Sequence, residues 1–289
     1  MAELLRPQRP NILLGYDGTE ENEPALCWAV DEARLRGLDL TMCYCWHWPY
    51  PEDHVDESVR AVFQRAGENL LQEGADRARS LGIPGKVRTL LRREPVSDTL
   101  VRESDDAELI VIGSHERHRL LAGSTAVQLP ARTHRPVIAV RRPGGTRGLV
   151  VAGVDGSDAA DAALGFAIEE AALREADLRV VYGTWEPGAV PDWELPLFND
   201  KHRLYEARTA TLDKAVHPWR QRHPKVPVQM SVSLQRPREA LLDAAADADM
   251  LVVGDRGIGG LDPLLLGATS SAMLHHAPCT VAIVPPDAA

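Results

Sequence analysis

The sequence predicts an α/β chain of two tandem doubly wound domains, each a five-stranded parallel sheet covered by helices on both faces. Three observations carry that reading. The segments Asn11-Ile-Leu-Leu-Gly15-Tyr-Asp17-Gly18-Thr19 and Leu149-Val-Val-Ala-Gly153-Val-Asp155-Gly156-Ser157 open two similar halves 138 residues apart. Within each half, short apolar runs alternate with stretches of helical periodicity, the pattern of βαβ units and a parallel sheet. Residues 108–113 and 249–254 are continuous apolar runs ending on glycine, as central parallel strands do. A length of 289 residues suits two domains, each large enough for a core of its own. The domains are placed at residues 1–141 and 149–289, with the Pro- and Gly-bearing stretch 142–148 as a linker short enough to keep them side by side.

Taken in order, each opening strand feeds a helix. Ala25, Leu26 and Ala29 match Ala163, Leu164 and Ala167 at the same offset, and Glu32-Ala33 matches Glu170-Ala171. Thr19 and Ser157 stand where they would cap those helices. The runs 40–44 and 178–182 are second strands, followed by Trp- and Pro-rich loops at 46–51 and 185–196. Such loops either close over a ligand or cover an exposed core edge. Helices at 59–81 and 201–222 come next, then third strands at 87–91 and 228–234. Pro95 and Pro237 each open a helix, where a missing N–H costs little. The fourth strands end at Gly113 and Gly254, and 137–140 and 281–284 are the fifth.

Composition is that of a soluble folded chain, 44% hydrophobic and 26% charged. A net charge of −10 gives no field favouring nucleic acid or an anionic membrane, so any bound anion depends on local donors. No apolar run nears the roughly 18 residues of a membrane helix, and residues 1–10 lack the apolar core of a signal peptide, so the expected place is the cytoplasm. Cys27, Cys43, Cys45 and Cys279 lack metal-site spacing and read as buried core thiols, Cys43 and Cys45 sharing one strand face.

The chemistry concentrates after the fourth strands. Gly254-Asp-Arg-Gly257 is followed by Gly267-Ala-Thr-Ser270, a Gly-x2-Gly-x9-Gly spacing that is neither a P-loop nor a dinucleotide fingerprint. A strand running into glycines and then a hydroxyl-bearing helix start places bare N–H groups around an anion. The first half departs from this. Its loop, Gly113 to Gly123, is three residues shorter, has Glu116 where the second half has Gly257, and carries Arg117, His118 and Arg119. Those bases either replace the cradle by charge or form a solvated face. In the second half Ala268 stands where Ser124 supplies a hydroxyl in the first. His275 and His276 flank a helix end, where imidazole suits the dipole. An Asp-Gly-Ser/Thr after a strand is by itself a turn and cap; duplicated and paired with a glycine loop, it reads as a nucleotide site. Strands one and four flank the switch point of a doubly wound sheet, where ligands bind at carboxyl ends, so Asp17 is expected to meet Gly113, and Asp155 to meet Gly254.

From Asn11 to Val284 the chain resembles the universal stress protein family in tandem form. The resemblance rests on the Gly254, Gly257, Gly267 signature of ATP-binding members and on Asp17 and Asp155 after each first strand. It implies that Val154 and Asp155 hold the base end of a nucleotide, and that Gly254, Arg256, Gly257, Gly267, Thr269 and Ser270 hold phosphates and ribose. Its first-half counterparts are Asp17, Gly113, Gly123, Ser124 and Thr125, with no equivalent of Gly257. The implied ligand is ATP. Read from the residues alone, Asp255 and Asp262 are carboxylates in or near the loop that could attract Mg²⁺ beside its phosphates. The family's habit of pairing domains through the last strand would be met within the chain, leaving a face for homodimerisation; a regulatory protein partner is unspecified. No residue set supplies a base, a positioned water and a metal ligand for hydrolysis, so the expected function is regulatory nucleotide binding without strong catalysis. The alternatives are an interaction scaffold with one or both sites degenerate and, from the enzyme class, an ATP-using nucleotidyl transferase. The latter lacks a His-x-Gly-His, a Ser-Gly-Gly-x-Asp-Ser loop and a P-loop lysine.

Overall fold

A computed structural model describes residues 10–46, 57–114, 125–141, 147–184, 200–258 and 265–286. The first half runs β1 (Asn11–Gly15), α1 (Glu23–Arg36), β2 (Asp39–Cys45), α2 (Glu57–Ser80), β3 (Val87–Arg92), α3 (Val96–Arg102), β4 (Ala107–Gly113), α4 (Thr125–Gln128) and β5 (Val137–Val140). The second half repeats it as β6 (Leu149–Gly153), α5 (Asp158–Leu173), β7 (Asp177–Gly183), α6 (Lys201–Arg222), β8 (Val228–Ser233), α7 (Pro237–Ala245), β9 (Met250–Gly254), α8 (Ala268–His276) and β10 (Thr280–Val284). Ten strands were expected, and all ten form. The aromatic segments 47–51 and 185–196, most of the linker, the basic loop and Asp262 lie outside the described residues.

All ten strands join one sheet in the order β3-β2-β1-β4-β5-β10-β9-β6-β7-β8. Each half is parallel throughout, and β1 and β4 are neighbours, as are β6 and β9, which sets the first and fourth strands at the switch point. The halves join where β5 meets β10, an antiparallel pairing with Val281 opposite Ala139 and Ile283 opposite Val137. The last strands thus pair within the chain. The apolar residues do not divide into one core per half. One buried layer under α1, α2, α5 and α6 combines Leu26, Trp28 and Met42 with Leu164, Ile168 and Val180. The opposite layer, under α3, α4, α7 and α8, combines Leu13, Leu100 and Ile110 with Leu251, Leu274 and Ile283. A continuous sheet with helices on both faces makes each core span the seam.

Across that seam α1 faces α5, and each brings a Glu and an Arg one helical turn apart, the i,i+4 spacing that puts both on one face. Arg36 binds Glu32 on its own helix and reaches Glu170 at 2.5 Å, while Arg174 binds Glu170 at 2.9 Å and reaches Glu32. Both carboxylates are fully buried. Arg36 lies 5.7 Å from the centre of the Phe166 ring and Arg174 5.1 Å from that of Trp28, completing a two-fold arrangement. Burial first, and then the Glu170 carboxylate, raise Glu32 to about 8 against the pull of Arg174 and Arg36. Burial acts on Glu170 in the same sense, but Arg174, the hydrogen bond with Glu32, and Arg36 outweigh it and hold Glu170 below its ordinary value.

Three local details differ from the sequence expectation. Thr19 does not cap α1: a 3-10 turn over Glu20–Asn22 intervenes, and the helix starts at Glu23 after Asn22. Pro95 precedes α3 as its cap, whereas Pro237 is the first residue of α7. Cys43 and Cys279 are buried thiols, but Cys27 and Cys45 are only partly buried, because one lies in the second turn of a helix and the other at a strand end.

Candidate functional site

The carboxyl ends of β6 and β9 converge. Asp155 leaves β6 into a turn whose next residue, Gly156, has φ 90°, a left-handed conformation that costs glycine little. Asp155 Oδ1 accepts the Ser157 N–H at 3.0 Å and its hydroxyl at 2.7 Å, and Ser157 Oγ in turn accepts the Ala160 N–H at 3.2 Å, capping α5. Asp155 Oδ2 faces the glycine loop and accepts the Ile258 N–H at 3.0 Å. The loop comes this close because residue 257 is glycine: a Cβ there would collide with Asp155 Oδ2. Val154 is buried and bonded to the Val181 carbonyl at 3.0 Å, and the Tyr182 hydroxyl donates to the Asp155 carbonyl at 3.1 Å. The aspartate is thereby held from both sides and from behind.

At the other end of the site Gly254 ends β9 against the first turn of α5; a Cβ there would stand 2.9 Å from the Ala159 backbone. The loop closes on itself when the Gly267 N–H bonds the Asp255 carbonyl at 2.8 Å and the Ser270 hydroxyl donates to the Gly254 carbonyl at 2.6 Å. Ser270 is buried and spends its hydroxyl on that clamp. Gly267 is the N-cap of α8, Ala268 its first residue, and Thr269 lies half-buried in the first turn, where backbone N–H groups have no acceptor within the helix. Arg256 is folded back on Asp255, with Nε and Nη2 at 3.1 and 3.0 Å from Oδ2. Asp255 is buried, and among the described residues its Oδ1 meets no hydrogen-bond partner. Among the described residues no group of three His, Cys, Asp or Glu side chains is arranged to hold a metal.

The first half repeats the aspartate turn. Asp17 Oδ1 accepts the Thr19 N–H at 2.9 Å and its hydroxyl at 2.7 Å, with Gly18 at φ 72°. Burial, then the charges of Glu23 and Asp17, raise the neighbouring Tyr16 phenol. Gly113 ends β4 against Asn22, whose Nδ2 would be 2.9 Å from a Cβ at that glycine and donates to the Gly15 carbonyl at 3.4 Å. Thr125 is the first residue of α4. Gly123, Ser124, Glu116 and the bases around it lie outside the described residues. The structure therefore brings Asp155 against the second-half loop, and sets Asn22, a residue the sequence reading did not single out, beside Gly113. The Ile258 N–H and the Tyr182 hydroxyl were also unforeseen; backbone donors leave no residue-type signal, whereas Tyr44 and Tyr182 do stand at equivalent places, one residue before the ends of β2 and β7.

A duplicated doubly wound sheet, with an Asp-Gly turn after each first strand and a glycine loop folded onto the second-half aspartate, defines a tandem α/β protein with its candidate site at the carboxyl edge of the sheet. Comparison with known proteins gives the class its name. The sequence profile of the universal stress protein family matches residues 9–141 and again 147–285. A universal stress protein of Mycobacterium tuberculosis (strain H37Rv) is 32% identical over 286 residues, covering 92% of this chain and 94% of the relative. One from Mycolicibacterium smegmatis is 29% identical over 293 residues, covering 95% and 97%. The crystal structure of a universal stress protein from Archaeoglobus fulgidus superimposes with a TM-score of 0.73 over 96% of this chain and 98% of that one, at 18% identity, a likeness of fold. The chain belongs to the universal stress protein family, with two family units in tandem.

Proposed function

We propose that this protein is a cytoplasmic, adenine-nucleotide-binding regulator that holds ATP at its second-half site and has no strong catalytic activity of its own. The observation that supports the reading is the contact of Asp155 with the Gly257–Ile258 backbone, which sets an acceptor for a base or ribose within reach of a loop of bare N–H groups. Val154 and Asp155 take the nucleoside; Gly254, Gly257, Gly267, Thr269 and the start of α8 take the phosphates. Arg256 joins them by exchanging Asp255 for phosphate, which suits its planar donor fork. Asp255 Oδ1, buried and unpartnered, is then the oxygen this chain offers to a Mg²⁺ carried in by the triphosphate. Ser270 supports the site through Gly254.

A second reading, an interaction scaffold with degenerate sites, has its own observation: Asp155, Asp255 and Ser270 all find partners inside the loop. One experiment separates the two. The purified protein is denatured and the supernatant chromatographed for ATP, ADP or AMP, and ATP with and without Mg²⁺ is added to the native protein while melting is followed. Released nucleotide, or a rise in melting temperature worth about 2.7 kcal/mol at a hundredfold excess over Kd, supports binding. Neither result leaves the scaffold.

A further inference from the structure

Two cysteines of β2 stand apart from everything above. Cys43 and Cys45 point to the same face of the strand, and their sulfurs are 3.9 Å apart. Cys43 is sealed in the core at 2% exposure, while Cys45, the last residue of β2, is half-buried. Thr99 on α3 is wholly buried, and among the described residues its hydroxyl has no hydrogen-bond partner. Arg92, paired with Cys45 across the β2–β3 ladder, is held by Glu103 at 2.9 Å. At the equivalent places of the second half stand Val181 and Gly183, so the pair belongs to the first half alone.

We propose that Cys43 and Cys45 form a reversible redox pair, in which Cys45 is the thiolate that reduces a hydroperoxide and Cys43 the thiol that resolves it as an intramolecular disulfide. The sulfur environments are matched to those roles. The contact with Cys43 lowers Cys45 to about 7, with the Arg92 charge acting in the same sense against burial and the Glu94 charge. The same contact, and then burial, raise Cys43. The isolated thiols go the other way: burial raises Cys279 to about 11, and burial with the Glu23 charge raises Cys27.

In the first step the Cys45 thiolate attacks the terminal oxygen of the hydroperoxide. The O–O bond breaks, the alkoxide or hydroxide leaves and takes a proton from water, and Cys45 becomes a sulfenic acid. In the second, Cys43 sulfur attacks Cys45 sulfur; the S–O bond breaks and the hydroxyl leaves as water with the Cys43 proton. Two electrons pass from the two sulfurs to the peroxide. Residues two apart on a strand lie about 6.6 Å apart, near the upper limit for a disulfide, so closure must shorten the end of β2 and gives a strained, easily reduced bond. That shortening is transmitted locally, because the Cys43 carbonyl accepts the Tyr16 N–H at 2.9 Å, one residue before Asp17.

The test uses the full chain. Native alkylation with iodoacetamide across a pH series, read by peptide mass spectrometry, is expected to modify Cys45 with a midpoint near 7 and, at neutral pH, about tenfold faster than Cys27. Arg92→Gln, which removes the cation paired with Cys45 across the ladder, should move that midpoint upward. After hydrogen peroxide and denaturing alkylation, the Cys43–Cys45 peptide should be two hydrogens lighter and unalkylated, and dithiothreitol should restore both thiols. Cys43→Ser should stop at a dimedone-reactive sulfenic acid on Cys45. The proposal is overturned if Cys45 titrates with Cys27, if peroxide leaves both cysteines alkylatable, or if Cys45 proceeds to the sulfinic acid with Cys43 still free.

Discussion

At the scale of single residues, the second-half site turns on how little room there is between Asp155 and residue 257. Any side chain at 257 meets Asp155 Oδ2 and must displace either the carboxylate or the loop, and with it the Ile258 N–H bond. Gly257→Glu, which installs the residue type the first half carries as Glu116, adds a negative charge where phosphate is to bind. Its ATP affinity, measured by titration calorimetry, should fall at least about tenfold, or about 1.4 kcal/mol. Glu116→Gly alone should restore little to the first half, because that loop is still three residues short. Wild-type affinity in Gly257→Glu would refute the assignment of the site. The glycine and the aspartate were each legible in the sequence, since a glycine at such a spacing announces close backbone approach. The Asp255–Arg256 pairing was not. Adjacent residues on a strand point apart, and only the turn after β9 lets these two meet.

At the scale of elements, the two halves begin alike and cap their first helices differently. Both hydroxyls donate to the preceding aspartate, but Ser157 Oγ also accepts an N–H from the first turn of α5, whereas the matching Thr19 leaves the N–H groups of the following turn alone. Ser157→Ala should therefore cost about 1 kcal/mol of stability in denaturant titrations, and Thr19→Ala clearly less. Equal losses would mean that the aspartate turn, not the cap, is what these hydroxyls stabilise. The strands were readable because each is a short apolar run bounded by glycine, proline or charge. The 3-10 turn at Glu20–Asn22 was not, since it depends on how β1 delivers the chain past Gly113 and Asn22, a contact between segments about ninety residues apart.

At the scale of the whole molecule, the seam joins one sheet, two shared cores and a quartet of ionisable side chains whose two carboxylates are buried. The sequence showed Glu32 matching Glu170, and Arg36 matches Arg174 at the same offset. That these four side chains meet follows only from the antiparallel pairing of β5 with β10, which turns α1 toward α5. The quartet gives stability a pH dependence. Glu32 sits at about 8 in the folded chain, above its value of 4.5 when unfolded, so its contribution is complete below the lower value and is lost as pH rises through the upper one. Glu170, held low, contributes above 4.5 and is lost on acidification. Between about pH 5 and about pH 8 the melting temperature of the wild type should fall relative to that of Glu32→Gln, by at most about 1.4 kcal/mol per pH unit. Parallel curves would show that Glu32 stays ionised. Glu32→Ala, which leaves Arg36 and Arg174 to share Glu170 alone, should cost about 3–5 kcal/mol. The seam has a consequence for how such a molecule changes over time. Two identical chains meeting across it would display every substitution twice, once on each side of the axis. In one continuous chain the two sides are free to differ, and Glu116, the shorter loop and the Cys43–Cys45 pair are features that the first half carries and the second does not.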